Sequence, residues 1–250
     1  MNLRGILNKG AEAVFPSGIY CILCGSMIDD TRTYSLCDEC IRKLHWIGEH
    51  SCDKCGKALP RQYRGRLCYD CMEREHEFER GYSCMTYGLH ERELIFDYKY
   101  NGRGYMGKIF ADMLYDRITP EHLDADVIIP VPIHKKRERR RGYNQTEIMA
   151  ARLSELMGIP MAKALLKRTR KTPPLRGLNP VEREMALNGA FEIYEREGSR
   201  VSGRRILLVD DIYTTGATAD ACSKILMRRG ADKVYFLSLA SGGNRKPENI

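Results

Sequence analysis

The chain has 250 residues, 43% of them hydrophobic and 30% charged, with a formal net charge of +8 at pH 7. A packed core is feasible and wholesale disorder is not expected; the length suits one mid-sized domain with a small module, or two small domains. No apolar run approaches the ~18 residues of a membrane-spanning helix, and the opening MNLRGILNKG lacks the apolar core and cleavage site of a secretory signal, so a cytoplasmic protein with no membrane span is expected.

After an N-terminal segment (1–18), residues 19–75 read as a cysteine module. Eight of the ten cysteines form C-x-x-C pairs, Cys21/Cys24, Cys37/Cys40, Cys52/Cys55 and Cys68/Cys71. The second half repeats the first at a constant offset of 31 residues, and Gly25 and Gly56 obey the same offset. A C-x-x-C knuckle points two thiolates at one tetrahedral ion, and the glycine relieves the tight turn. Two knuckles close a four-cysteine zinc site. A disulfide framework is the competing reading, disfavoured where thiols are kept reduced. Two structural zinc sites are expected, paired sequentially as in a double zinc ribbon or cross-braced. So short a module, poor in bulky apolar residues, would draw much of its folding energy from metal. Trp46 is expected in the core of this module. The other two cysteines, Cys84 and Cys222, read as small core residues.

Residues 72–80, MEREHEFER, read as a linker or boundary helix. From 81 to 241 the pattern changes to alternating strands and helices. Met106, Ile109, Phe110, Met113 and Leu114 recur at helical spacing, predicting a helix over 104–118. DVIIPVP (126–132) predicts a buried strand closed by proline, and Met149, Leu153, Leu156 and Met157 a helix over 143–157. A strand over 204–211, a helix over 217–229 ended by Gly230, a strand over 233–240 and a flexible tail over 242–250 follow. Such alternation implies an α/β fold with a parallel sheet flanked by helices.

In parallel sheets ligands sit beyond the carboxyl ends of the strands. LLVDDIYTTGAT (207–218) occupies such an end. Asp210 and Asp211 can accept hydrogen bonds from vicinal hydroxyls and help hold Mg2+. Thr214, Thr215, Gly216, Ala217 and Thr218 lead into a helix N-terminus, where free N–H groups and the helix dipole favour a phosphate. A 5-phosphorylated ribose fits both halves. An acidic pair that merely caps the next helix is the bland alternative, and the full V-D-D-x-x-T-T-G-x-T pattern disfavours it. The second loud segment is basic: Lys135, Lys136, Arg137, Arg139, Arg140 and Arg141 follow the 126–132 strand. Residues 135–183 carry 14 Lys+Arg against 4 Asp+Glu. That excess exceeds what one phosphorylated ligand needs and points to a polyanion such as single-stranded DNA. Tyr98, Lys99 and Tyr100 either stack on a base or pack.

The 207–218 stretch resembles the diphosphoribosyl-binding motif of type I phosphoribosyltransferases. Together with the cysteine module, YKYNGR (98–103), IPVPIHKKRERRRGYNQ (129–145) and RTRKTPPLRGLNPVEREMALNGAF (168–191), the chain resembles the ComF family, bacterial proteins linked to natural competence and DNA uptake. The resemblance covers nearly the whole length. It implies a type I phosphoribosyltransferase-like domain behind an N-terminal double zinc ribbon. It implies phosphoribosyl pyrophosphate with Mg2+ on 210–218, with Asp210 and Asp211 as catalytic residues. Lys135, Arg141, Tyr143, Asn144 and Arg183 would line the pyrophosphate side, 133–145 being a loop, and Asn188 pairs with Arg183 in the family pattern. A mobile segment over 168–185 would exclude water from a cationic transition state. Leu175 stands where the family usually carries glutamine, which puts a role for that amide in doubt. Glutamine amide transfer within the chain is not expected, since residue 1 is Met1 and no cysteine nucleophile begins it. The resemblance implies a phosphoribosyltransferase whose acceptor is unread. The alternative is a non-catalytic protein handling single-stranded DNA with a helicase or recombination partner, its pocket a sensor or relic.

Overall fold

The computed structural model describes residues 18–170, 172, 178–194 and 201–244. Leu175 and the terminal stretches 1–17 and 245–250 lie outside the described residues. The chain divides into two compact units, 1–44 and 45–250, so the two halves of the cysteine repeat fall in different units.

In the first unit, Cys21, Cys24, Cys37 and Cys40 gather beside the short helix Asp38–Lys43, over a small core of Ile22, Leu36 and Leu44. In the second unit, Cys52, Cys55, Cys68 and Cys71 gather beside the helix Tyr69–Glu73. The repeat persists in the backbone. Gly25 and Gly56 have φ of +73° and +72°, and each donates its N–H to the first cysteine of its knuckle at 2.9 Å. Only glycine takes that φ without strain.

The rest of the second unit is an α/β domain. Six strands occur among the described residues: β1 (Arg80–Thr86), β2 (Val127–Pro130), β3 (Leu166–Arg168), β4 (Phe191–Ile193), β5 (Arg205–Tyr213) and β6 (Lys233–Ser241). Four form a parallel sheet in the order β1-β6-β5-β2; β3 and β4 form a separate antiparallel ribbon. Ile206, Leu207, Leu208 and Val209 of β5 are fully buried, the continuous apolar run of a strand covered on both faces. Helices Met106–Ile118 and Gln145–Met157 pack on one another. Helix Ala217–Arg228 packs on β4, β6 and helix Pro180–Leu187. No helix among the described residues is long and apolar enough to cross a membrane.

The expected parallel sheet and its flanking helices are present, and several local readings change. β1 and the helix Leu89–Tyr100 were not predicted; that helix has buried residues only at Glu91, Leu94, Ile95 and Tyr98, so its apolar stripe is faint. The basic segment is a helix, Lys135–Arg141, not a loop. The His134 ring caps it, accepting from Lys136 N–H at 3.2 Å, and Gly142 ends it at φ +84°. β5 runs two residues past the aspartates, because Ile212 and Tyr213 still pair with Ala240 and Ser241 of β6. Residues 74–79 are not a free linker: His76 and Phe78 are buried, and Phe78 joins the same hydrophobic cluster as Cys55, Tyr213 and Phe236. Trp46 is 38% exposed, because its backbone bridges to Met85 of β1 and leaves the ring at the surface. Cys84 and Cys222 are buried core thiols, and burial pushes Cys84 up to about 12. Residues 242–244 are tied down: Gly242 N–H donates to Tyr213 O at 2.8 Å, and Asn244 Oδ1 accepts from Tyr69 N–H at 3.1 Å.

Candidate functional site

The two cysteine clusters are sequential, not cross-braced: 21/24/37/40 and 52/55/68/71 each bring four sulfurs within 4.8 Å of one another. Facing sulfurs lie 3.8 Å apart (Cys24–Cys37) and 3.6 Å apart (Cys55–Cys68). A disulfide requires about 2.05 Å, whereas four thiolates about 2.3 Å from one tetrahedral ion are separated by roughly 3.8 Å. Backbone N–H groups of Cys37 and Cys68 point at the sulfurs of Cys21 and Cys52, at 3.4 and 3.2 Å, and stabilise thiolate charge. Cys24 is lowered to about 6, first by its hydrogen bond with Ser26. The donor set and spacing fit zinc.

The second site lies at the carboxyl end of β5. Asp210 and Asp211 differ sharply. Asp211, buried, faces Lys99 Nζ at 2.7 Å and accepts from Gln145 Nε2 at 2.7 Å. Asp210 accepts the Asp211 backbone N–H at 2.8 Å. Burial, and then the Asp211 charge, push its carboxyl up to about 7. Asp211 is thus paired, while Asp210 holds a proton more tightly than an ordinary aspartate, the kind of perturbation that marks a candidate site.

The turn after β5 passes through Gly216 at φ +84° and enters the helix Ala217–Arg228. Gly216 has no room for a side chain, since a Cβ there would lie 2.7 Å from both His76 Cε1 and Tyr213 Oη. Thr215 Oγ1 is buried with no hydrogen-bond partner among the described residues. That orphan hydroxyl, beside the unpaired N–H groups of a helix start, fits a phosphate oxygen. Ala217 and Thr218, both half-buried, open the helix; Thr214 is exposed.

The basic segment reaches the aspartates through a chain of side chains. Arg141 Nη1 donates to Gln145 Oε1 at 2.7 Å, and Gln145 donates on to Asp211. Arg141 Nη2 donates to Tyr100 Oη at 3.0 Å, with its guanidinium 4.8 Å from the Tyr100 ring centre. The buried Tyr98 packs and does not stack on a ligand, donating to Gln145 O at 2.6 Å; Tyr100 is 48% exposed. Tyr143 donates to Tyr98 O, and buried Asn144 caps the helix Gln145–Met157. Lys135 is exposed at the start of the basic helix, and Arg183 is half-buried on helix Pro180–Leu187. Asn188 O accepts from Arg170 at 2.8 Å. Within the 168–185 segment, Arg168 and Arg137 both meet Thr172.

Sequence reading missed Lys99 and Gln145 as partners of Asp211, and Arg168 as a half-buried cation whose charge acts on Asp210. The available signal was charge balance: two adjacent acids in a buried strand demand a cation.

The chain thus joins two four-cysteine sites to an α/β domain whose parallel sheet carries an acid pair and a glycine turn at the end of β5. The double zinc ribbon domain model matches residues 11–72. The chain is 29% identical over 225 residues to competence protein F of Haemophilus influenzae, covering 88% of this chain and 96% of that one. It is 28% identical over 232 residues to competence protein ComFC of Streptococcus pneumoniae, covering 88% and 98%. These matches show the ComF-family resemblance that the motifs carry. Among solved structures, the adenine phosphoribosyltransferase of Thermoanaerobacter pseudethanolicus is similar over 56% of this chain and 82% of its own, at 16% identity and a TM-score of 0.35.

Two predictions follow from the geometry. Elemental analysis of reduced, untreated protein should find two zinc ions per chain; one or none would contradict the two-site reading. The second concerns pH. A carboxyl raised in the folded state keeps a proton that the unfolded chain loses, so its stabilising contribution is full below pH ~4 and is lost as pH rises to about 7. Asp210→Asn should therefore leave the ligand-free melting temperature unchanged at pH 4 and raise it at pH 8, by on the order of 2–4 kcal/mol of stability. Equal melting temperatures at pH 8 would place Asp210 in an ordinary solvated setting.

Proposed function

We propose that residues 210–218 bind phosphoribosyl pyrophosphate. The observation that carries this reading is the pairing, within nine residues, of a carboxyl of raised proton affinity and an orphan hydroxyl next to a helix start. Asp210 and Asp211 would accept hydrogen bonds from the ribose hydroxyls, and Thr214–Thr218 would donate to the 5-phosphate. Arg141 and Lys135, with Tyr143, Asn144 and Arg183, form the proposed pyrophosphate side. Asp210 and the ligand's own oxygens would hold Mg2+, whose chemistry is to neutralise leaving-group charge. In a transferase reaction the acid pair would also stabilise positive charge developing at the anomeric carbon. Relatives named as competence proteins support a place for this chemistry in competence; DNA uptake and a cytoplasmic location complete the reading proposed.

A second reading is favoured by the basic helix and its aromatic neighbours. Tyr100 lies 5.0 Å from the Phe96 ring, both are about half exposed, and Arg140 and Arg141 lie 5.8 and 4.8 Å from Tyr100. Exposed aromatics interleaved with arginines suit single-stranded DNA. On this reading the protein handles the strand alongside a helicase or recombination protein.

Phosphoribosyl pyrophosphate with Mg2+ should raise the melting temperature, by about 2.7 kcal/mol of stabilisation at a hundredfold excess over Kd. Asp210→Asn with Asp211→Asn should abolish the shift while circular dichroism stays native; an undiminished shift would move the ligand elsewhere. In fluorescence anisotropy across a salt series, single-stranded DNA should bind with a logarithmic slope of roughly −0.7 per phosphate contacted, flattened by one to two units in Arg139→Ala/Arg140→Ala. An unchanged slope would leave the basic helix as a solvated surface.

A further inference from the structure

His76 lies five residues beyond the last cysteine of the second cluster, and its side chain is buried beneath the Tyr213–Thr218 turn. Its Nδ1 lies 2.9 Å from Asp220 Oδ2 and its Nε2 3.3 Å from Tyr213 Oη. A neutral ring with its proton on Nδ1 satisfies both, donating to the carboxylate and accepting from the phenol. Asp220 sits in the first turn of the helix that follows the phosphate turn, and its other oxygen accepts the Glu77 N–H at 3.0 Å. Gly216 rests on the imidazole itself, so moving the ring moves the turn.

The second ribbon in turn fixes the chain around His76. Its knuckle lies against β1: Gly81 N–H donates to Lys54 O at 2.7 Å, and a Cβ at Gly56 would lie 2.5 Å from Gly81 O. Lys54 Nζ donates to Glu79 O at 3.2 Å, downstream of His76. Lys57 Nζ, buried and paired with Asp70, lies 5.6 Å from the centre of the Tyr213 ring. Phe78 stacks on His76 at 4.9 Å between ring centres.

We infer that His76 is a positioning residue for the 214–218 turn, and that metal on Cys52, Cys55, Cys68 and Cys71 holds that turn in its anion-binding shape. The second ribbon is thus a structural part of the phosphate cradle, and losing its metal weakens a phosphorylated ligand without touching any ligand contact. The ligand half of this inference rests on the phosphoribosyl reading; the coupling itself is readable without any ligand.

The test uses the full zinc-loaded chain, with His76→Ala, Asp220→Asn and wild-type protein stripped by chelator and then reloaded. Amide exchange of peptides spanning 212–220 should speed up about tenfold in both variants and in stripped protein, and should return on zinc addition, while 205–209 stays protected. Calorimetry should show ribose 5-phosphate weakened about tenfold in the variants, and inorganic pyrophosphate within about twofold of wild type, because a different element is proposed to meet it. If His76→Ala does not fold, Asp220→Asn and the stripped protein carry the comparison. Exchange at 212–220 unchanged by these treatments, or rising equally at 205–209, would overturn the coupling. Wild-type protein that binds no ribose 5-phosphate would overturn the phosphoribosyl reading instead, and the exchange data would still decide the coupling.

Discussion

Two carboxylates stand side by side near the end of a strand whose preceding residues are fully buried, and among the described residues the direct ion pair goes to Asp211, from Lys99. Lys99 and Gln145 meet Asp211 from two helices, and Arg141 ties that Gln145 to the basic segment. Asp210 is left with a backbone N–H and a proton affinity far above that of an ordinary aspartate. The arrangement costs stability in the free protein, which agrees with the ligand role proposed for it. The helices Leu89–Tyr100 and Gln145–Met157 are placed so that this imbalance persists.

The turn that follows depends on a second constraint, close backbone approach. Gly216 is needed both for its positive φ and because His76 and Tyr213 occupy the space a side chain would take. Gly56 shows the same economy: it turns the knuckle and also lets the knuckle touch β1. The repeated glycine thus has one role in the first cluster and two in the second. Cys52, Cys55 and Cys68 of the second cluster share a hydrophobic cluster with β5 and β6, so this metal site packs directly on the core of the α/β domain.

Much of this was legible in the sequence. The offset of 31 residues gave both cysteine clusters, and the runs at 126–132, 204–211 and 233–240 gave three of the four parallel strands, because buried β-branched runs between turns are strong local signals. The acid pair near the end of β5 and the glycine turn into the next helix were legible from residue type and spacing; their ligand role remains a proposal. What was not legible depends on tertiary contact. β1, RGYSCMT, mixes polar and small residues through its length, and shows as a strand only through its pairing with β6. Lys99 looked like one member of an aromatic triplet until helix Leu89–Tyr100 aimed it at Asp211. The basic run reads as a loop by charge alone, yet its His134 cap and Gly142 stop make it a helix. His76 carried no motif at all; its role comes from burial beneath a turn 137 residues away from it.

The central claim is that one short segment takes both ends of a phosphorylated ribose. A crystal structure of the zinc-loaded protein with ribose 5-phosphate tests it most directly. The account predicts the phosphate on the backbone N–H groups of 214–218, with Thr215 Oγ1 within hydrogen-bond distance, and the sugar hydroxyls on Asp210 and Asp211. Density for the sugar phosphate on the Lys135–Arg141 helix, with the 210–218 segment empty, would contradict it.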